Sequence, residues 1–202
     1  MIKLTNVSKG FGENAVFKNL DFEFEDHRTY LISGPSGIGK TTLLNMIAGY
    51  TSYTGNIEFP NSSCTIGYMF QEPLLFSNMT VEDNLILKCI ALKKKLSEDV
   101  ADRALSSVLK ALRISHLRKK KVSTLSGGEK QRLQIAMLIF TRPDVILMDE
   151  PTANLDENNK MLVYKSIEKL FPEALKIIVS HDMYTAENAV KIKIHEGILE
   201  YV

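Results

Sequence analysis

The sequence predicts an α/β fold: a mainly parallel sheet with helices between its strands and a helical stretch inserted in the middle. Three observations carry that prediction. Short apolar runs alternate with helical patterns in the first and last thirds of the chain. A glycine-rich loop, Gly34 to Thr41, joins one such run directly to a helix. Residues 76 to 140 read largely as helix.

The elements follow in chain order. Leu20, Phe22 and Phe24 alternate with Asp21, Glu23 and Glu25, the period of a strand with one buried face. Tyr30 to Ser33 is a short, mainly apolar run, and Thr41 to Ala48 follows as a helix with Gly49 in the stop position. Ile57 to Phe59 and Thr65 to Phe70 read as further strands. Thr80, with Asp83 three residues on, opens a helix through Leu85, Ile86 and Ile90. Ser97 caps a second helix, on which Val100, Ala104, Leu105, Val108, Leu109 and Leu112 recur at helical spacing. Val145 to Met148 is continuously apolar, as in a parallel strand covered on both faces. Glu157 to Leu170 is a helix that ends before Pro172, Lys176 to Ser180 a buried strand, and Ile192 to Val202 a hairpin around Glu196 and Gly197. The division expected is one domain, with an α/β core over 1–75 and 141–202 and a helical subdomain over 76–140.

Composition excludes several classes. The 202 residues carry 25 Lys+Arg against 24 Asp+Glu, a net charge of +1, so no nucleic-acid partner is expected. A content of 45% hydrophobic residues supports a core, and 24% charged residues argue against disorder. The longest apolar runs, such as Ile135 to Phe140, fall well short of the roughly 20 residues of a spanning helix. The first residues lack the apolar segment of a signal peptide. Cys64 and Cys89 lack metal or redox spacing, which suits free thiols in a cytosolic protein. Six basic residues and no acids lie between Lys110 and Lys121. They suit either a solvated edge or attraction to anionic lipid headgroups.

Gly34-Pro35-Ser36-Gly37-Ile38-Gly39-Lys40-Thr41 matches G-x-x-x-x-G-K-[ST] after a strand and at a helix start. Glycines let the backbone wrap an anion, and successive N–H groups at the helix N-terminus present positive potential to it. Lys40 is expected to reach the β- and γ-phosphates of a nucleotide. Thr41 is expected to ligate Mg²⁺, and Thr42 to touch the α-phosphate. Asp149 ends the apolar run at Met148, where ligands gather in a parallel sheet, and is expected to hold Mg²⁺. Glu150, offset by one residue, is expected to polarise the attacking water.

Ser126 and Glu129 form a capping box that accounts for both residues. The box leaves Gly127 and Gly128 unexplained, because consecutive glycines weaken a helix start. Leu125-Ser126-Gly127-Gly128-Glu129 resembles the signature sequence of the ATP-binding subunits of ABC transporters. The other motifs stand in that family's order. The phosphate loop is similar to Walker A, Gln71 to the Q-loop glutamine, and Val145 to Glu150 to Walker B with its catalytic glutamate. Pro151 to Asp156 resembles the D-loop, and His181 the switch histidine.

The resemblance covers the whole chain and implies a RecA-like P-loop NTPase core, an N-terminal antiparallel β subdomain and an inserted helical subdomain. It implies ATP and Mg²⁺ as ligands, with Phe11 stacking on adenine. Lys40, Gln71, Glu150 and His181 would serve hydrolysis, and Thr41, Gln71 and Asp149 would hold the metal. It also implies a head-to-tail homodimer in which Leu125 to Glu129 of one copy face the ATP of the other. Separate transmembrane permease subunits would dock beside Gln71 and Leu74-Leu75-Phe76, with the chain cytoplasmic and peripheral on the inner face of the membrane. An exporter of the lipoprotein-release, macrolide or bacteriocin type is expected, and a cell-division type of regulatory ATPase is the alternative. The expectation includes no appended regulatory domain.

Overall fold

The alternating pattern around Phe22 becomes the second strand of an antiparallel sheet. The computed structural model describes residues 1–92, 98–153, 155–180 and 189–202. In it β1 (Ile2–Phe11) pairs antiparallel with β2 (Asn14–Phe24) and with β4 (Thr54–Glu58). Leu20 and Phe24 turn inward and are buried, while Asp21, Glu23 and Glu25 face water.

The second sheet has six strands. They comprise β3 (Thr29–Ser33), β5 (Ile66–Met69), β6 (Val145–Asp149), β7 (Leu175–Val179), β8 (Val190–His195) and β9 (Ile198–Tyr201). Their order is β5-β6-β7-β3-β8-β9, parallel throughout except for the terminal hairpin β8-β9. Every residue of β6 and β7 is buried, which explains their unbroken apolar character. The hairpin turns on Glu196 and Gly197, both at positive φ, the geometry that matches strand twist in a two-residue turn.

A first compact unit comprises Met1–Gln71, Pro143–Ala153 and Pro172–Val202. Both sheets and α1 (Lys40–Ile47) belong to it and share one core. Phe22, Phe24 and Tyr30 join the sheets through tilted and edge-on ring contacts, with centroids 4.8 to 6.5 Å apart. Each fully buried side chain there contributes about 1.5–3 kcal/mol relative to exposure.

The second unit comprises Glu72–Arg142 and Asn154–Phe171. It holds α2 (Val81–Ala91), α3 (Glu98–Ala111), α4 (Gly127–Thr141) and α5 (Glu157–Leu170). The sequence reading placed 141–202 wholly in the α/β core, whereas α5 groups with the helices. That helix packs against α4 across residues far apart in sequence, where Arg132 Nη1 of α4 donates to Asn159 Oδ1 of α5 at 3.0 Å. The capping box of Thr80 and Asp83 forms at the start of α2. Ser97 lies outside the described residues.

The basic stretch near Lys121 is not an isolated field of charge. Arg118 pairs with Glu82 of α2 and Asp102 of α3, and Lys119 also pairs with Glu82. Hydrogen bonds from Lys119 and Arg118 hold the Glu82 carboxyl below its usual range, against the opposing effect of desolvation. Arg118 and Lys119 are therefore partly balanced by acids on other elements.

Candidate nucleotide-binding site

The glycine-rich loop leaves the carboxyl end of β3, and the carboxylate pair lies at the carboxyl end of β6, with β7 between these strands. This is the edge at which open α/β sheets gather ligands. Gly39 makes the entry to α1 possible. Its φ is 112°, and a Cβ there would lie 2.4 Å from Val16 Cγ1. Any other residue would meet both the backbone restriction and the β2 side chain.

Lys40 is only 7% exposed. Its Nζ donates to the carbonyl oxygens of Gly34 at 2.8 Å and Pro35 at 2.9 Å, so the buried ammonium closes the loop around itself. A cavity of about 340 Å³ opens beside it. Ser36, Gly37, Gly39, Lys40, Thr41 and Thr42 line one part, and Gln71, Asp149 and Glu150 line another. The structure thus brings together residues that span the sequence from Ser36 to Glu150.

Asp149 is 5% exposed. Burial pushes its carboxyl above the ordinary carboxylate range, while a hydrogen bond with Thr41 and the Lys40 charge pull the other way. A buried carboxylate facing a hydroxyl, with an amide in the same lining, is a set of hard oxygen donors that suits Mg²⁺ held together with substrate phosphates. Glu150 has a positive φ of 48°, and its N–H donates to Val179 O at 2.9 Å. That bond extends the β6–β7 pairing by one residue, and the left-handed turn sends Glu150 on a different course from Asp149. Nothing in the sequence signalled this conformation.

The remaining expected residues are distributed as follows. Gly34, Pro35 and Ile38 belong to the loop without lining the cavity, and Ile38 packs partly on the core. Phe11 also lies outside the lining. It is 56% exposed, with Lys9 Nζ 4.7 Å from its ring centroid, so it is not a core residue. His181 falls outside the described residues.

In the second unit, the Ser126 side chain accepts from Glu129 N at 3.4 Å, and Ser126 N donates to Glu129 Oε2 at 2.7 Å. A Cβ on Gly128 would meet Asn159 Cγ at 3.4 Å, an ordinary contact, and one on Gly127 would come no nearer than 3.8 Å to Leu155. Packing within the chain therefore gives little reason for two glycines. Leu125 is buried, and Ser126 and Gly127 are exposed. Asp156 is the N-cap of α5, accepting from Asn159 N at 3.0 Å, a structural duty that the D-loop resemblance did not suggest.

A glycine-rich loop closed by a buried lysine, opposite a strand-end carboxylate in a parallel sheet, defines a P-loop NTPase fold. Residues 17–153 match the family described as ABC transporter, and the chain belongs to that family. It is 34% identical over 194 residues to the sulfate/thiosulfate import ATP-binding protein CysA 1 of Shewanella oneidensis, covering 90% of this chain and 52% of that protein. It is 37% identical over 198 residues to the spermidine/putrescine import ATP-binding protein PotA of Clostridium acetobutylicum, covering 92% of this chain and 55% of that protein. The chain spans about half the length of these curated relatives. A solved structure described as the dimeric post-hydrolysis state of the ATP-binding cassette MJ0796 bound to ADP and Pi matches with a TM-score of 0.86. The two are 27% identical, and the match covers 99% of this chain and 97% of that one. The exporter subgroup expected from the sequence finds no support in the relatives' names, which are those of import proteins.

Proposed function

We propose that this chain binds and hydrolyses ATP and drives import through separate transmembrane permease subunits. The observation that carries this reading is the single cavity lined by Lys40, Thr41, Gln71, Asp149 and Glu150. The import direction rests on the relatives' names.

ATP enters with its phosphates on the loop 34–42, where backbone N–H groups and Lys40 offset their charge. Lys40 then exchanges its carbonyl partners for phosphate oxygens. Thr41, Asp149 and Gln71 hold Mg²⁺, which when bound neutralises charge on the phosphates. Glu150 accepts a proton from water as its oxygen attacks the γ-phosphorus and the bond to the leaving oxygen of ADP breaks. His181 senses the γ-phosphate, and Phe11, exposed on β1, stacks on the adenine.

The two glycines that internal packing does not require point to a second molecule. Two copies associate head to tail, and Leu125 to Glu129 of one contact the ATP held by the other, with Asp156 in the D-loop between them. ATP thereby joins the copies and hydrolysis releases them. Leu74 and Phe76 are 67% and 61% exposed, which favours contact with a permease over internal packing. Docking there makes the chain peripheral on the cytoplasmic face. Among the described residues no helix is long and apolar enough to cross a membrane.

Phosphate release from Mg²⁺-ATP tests this reading. Ser126→Asp is the informative variant, because aspartate is as good an N-cap as serine while its charge opposes a partner's γ-phosphate. Hydrolysis by the wild type that Ser126→Asp abolishes, with ADP binding and thermal stability retained, is the expected result. Wild-type turnover in this variant would overturn the shared site.

A further inference from the structure

We infer that the helical unit carries a second binding site, for an organic anion with an apolar body. A cavity of about 400 Å³ lies among α4, α5 and the residues that follow α3, within the size range of small-molecule pockets. Leu112 and Leu162 give it an apolar wall, and Arg113, Arg132, Lys165 and Lys169 give it four cations. No carboxylate lines it among the described residues.

Ordinary structural duties account for only part of this charge. Arg113 follows the end of α3 and Lys169 lies in the last turn of α5, where cations suit the helix dipole. Lys165 lies a full turn inside α5 and is separated from Lys169 by four residues, a like-charge spacing that disfavours the helix. Arg113, Lys165 and Lys169 form no ion pair with a described residue. Arg132 is balanced in part by Glu129 and is held at the cavity wall by the bond from its Nη1 to Asn159 Oδ1 at 3.0 Å. Three lining cations with no ion pair among the described residues, beside a fixed arginine, suit an anionic head, and the leucines suit a hydrocarbon or aromatic body. The site lies wholly within the helical unit, in residues distinct from those lining the nucleotide cavity. It does not rest on the proposed transport role.

The test uses 8-anilinonaphthalene-1-sulfonate as the probe and the full chain saturated with Mg²⁺-ADP. Its uncharged analogue N-phenyl-1-naphthylamine serves as control. The charged probe is expected to bind at least tenfold more tightly than the neutral one. The variant Lys165→Glu/Lys169→Glu, both positions being exposed, is expected to lose at least tenfold in that affinity with ADP binding unchanged. Methyl chemical shifts of Leu112 and Leu162 are expected to move on titration in the wild type only. Equal binding of the two probes, undiminished sulfonate binding by the variant, or shifts that leave Leu112 and Leu162 unmoved would each overturn the site.

Discussion

The Nζ of Lys40 donates a 2.8 Å hydrogen bond to the carbonyl oxygen of Gly34, six residues earlier in the same loop. The loop thus holds its own cation, oriented and shielded, at the place proposed for phosphate. Replacement by methionine keeps an unbranched side chain one atom shorter and removes the charge and both loop-closing bonds. Lys40→Met is expected to weaken ATP binding at least tenfold, about 1.4 kcal/mol or more, in a fluorescent-nucleotide titration. Unaltered affinity would mean that the ammonium serves the loop alone.

Asp149 makes a prediction of definite sign. Burial raises its folded-state pKa, so the folded protein holds this proton more tightly than the unfolded chain. Its contribution to stability is lost as pH rises from the ordinary carboxylate pKa through the raised one. Mg²⁺ favours the opposite form, so Mg²⁺-dependent nucleotide binding weakens as pH falls through the raised pKa. Asp149→Asn removes the buried charge. Calorimetry is expected to show an unliganded melting temperature equal to or above wild type, with most of the stabilisation by Mg²⁺-ADP gone.

Glu150 occupies a left-handed backbone conformation, with φ at 48°. A non-glycine residue there costs roughly 1–2 kcal/mol. Glu150→Gly is therefore expected to be more stable than Glu150→Ala by about 1 kcal/mol in urea unfolding, with both variants inactive. The reverse order would mean that the turn is not strained.

Asn84, fully buried in α2, ties down the turn before that helix. It accepts from Phe76 N at 2.8 Å and donates to Phe76 O at 3.1 Å and Thr80 O at 2.9 Å. Asn84→Ala leaves Phe76 N–H unpaired, while Phe76 O and Thr80 O keep their bonds from the backbone N–H groups of Met79 and residue 84, and is expected to cost about 1–3 kcal/mol in urea unfolding. A loss below about 0.5 kcal/mol would show that water replaces the side chain.

These particulars show which features were legible in the sequence. The capping boxes at Thr80 and Ser126 were readable because each closes over three residues. The end of α5 was readable because Pro172 follows it, whereas the N-cap role of Asp156 was not. The meeting of Lys40 with Asp149 followed from the parallel-sheet rule, since the loop that ends at Lys40 leaves the carboxyl end of β3 and Asp149 ends β6. Asn84, the Glu82–Arg118–Asp102 cluster and the union of α5 with α4 were not readable. They join residues far apart in sequence, whose local signals are satisfied equally well in other folds. The turn at Glu150 was hidden for a different reason: a left-handed conformation runs against the local preference of glutamate.

The central claim is that ATP held at Lys40 and Asp149 joins two copies until Glu150 helps water to attack it. Size-exclusion chromatography with light scattering on Glu150→Gln, in ATP and Mg²⁺, tests it most directly. The variant keeps a side chain of the same size and loses only the base. A stable dimer that retains ATP is predicted, returning to monomer when the nucleotide is removed; a variant that binds ATP and remains monomeric would contradict the account.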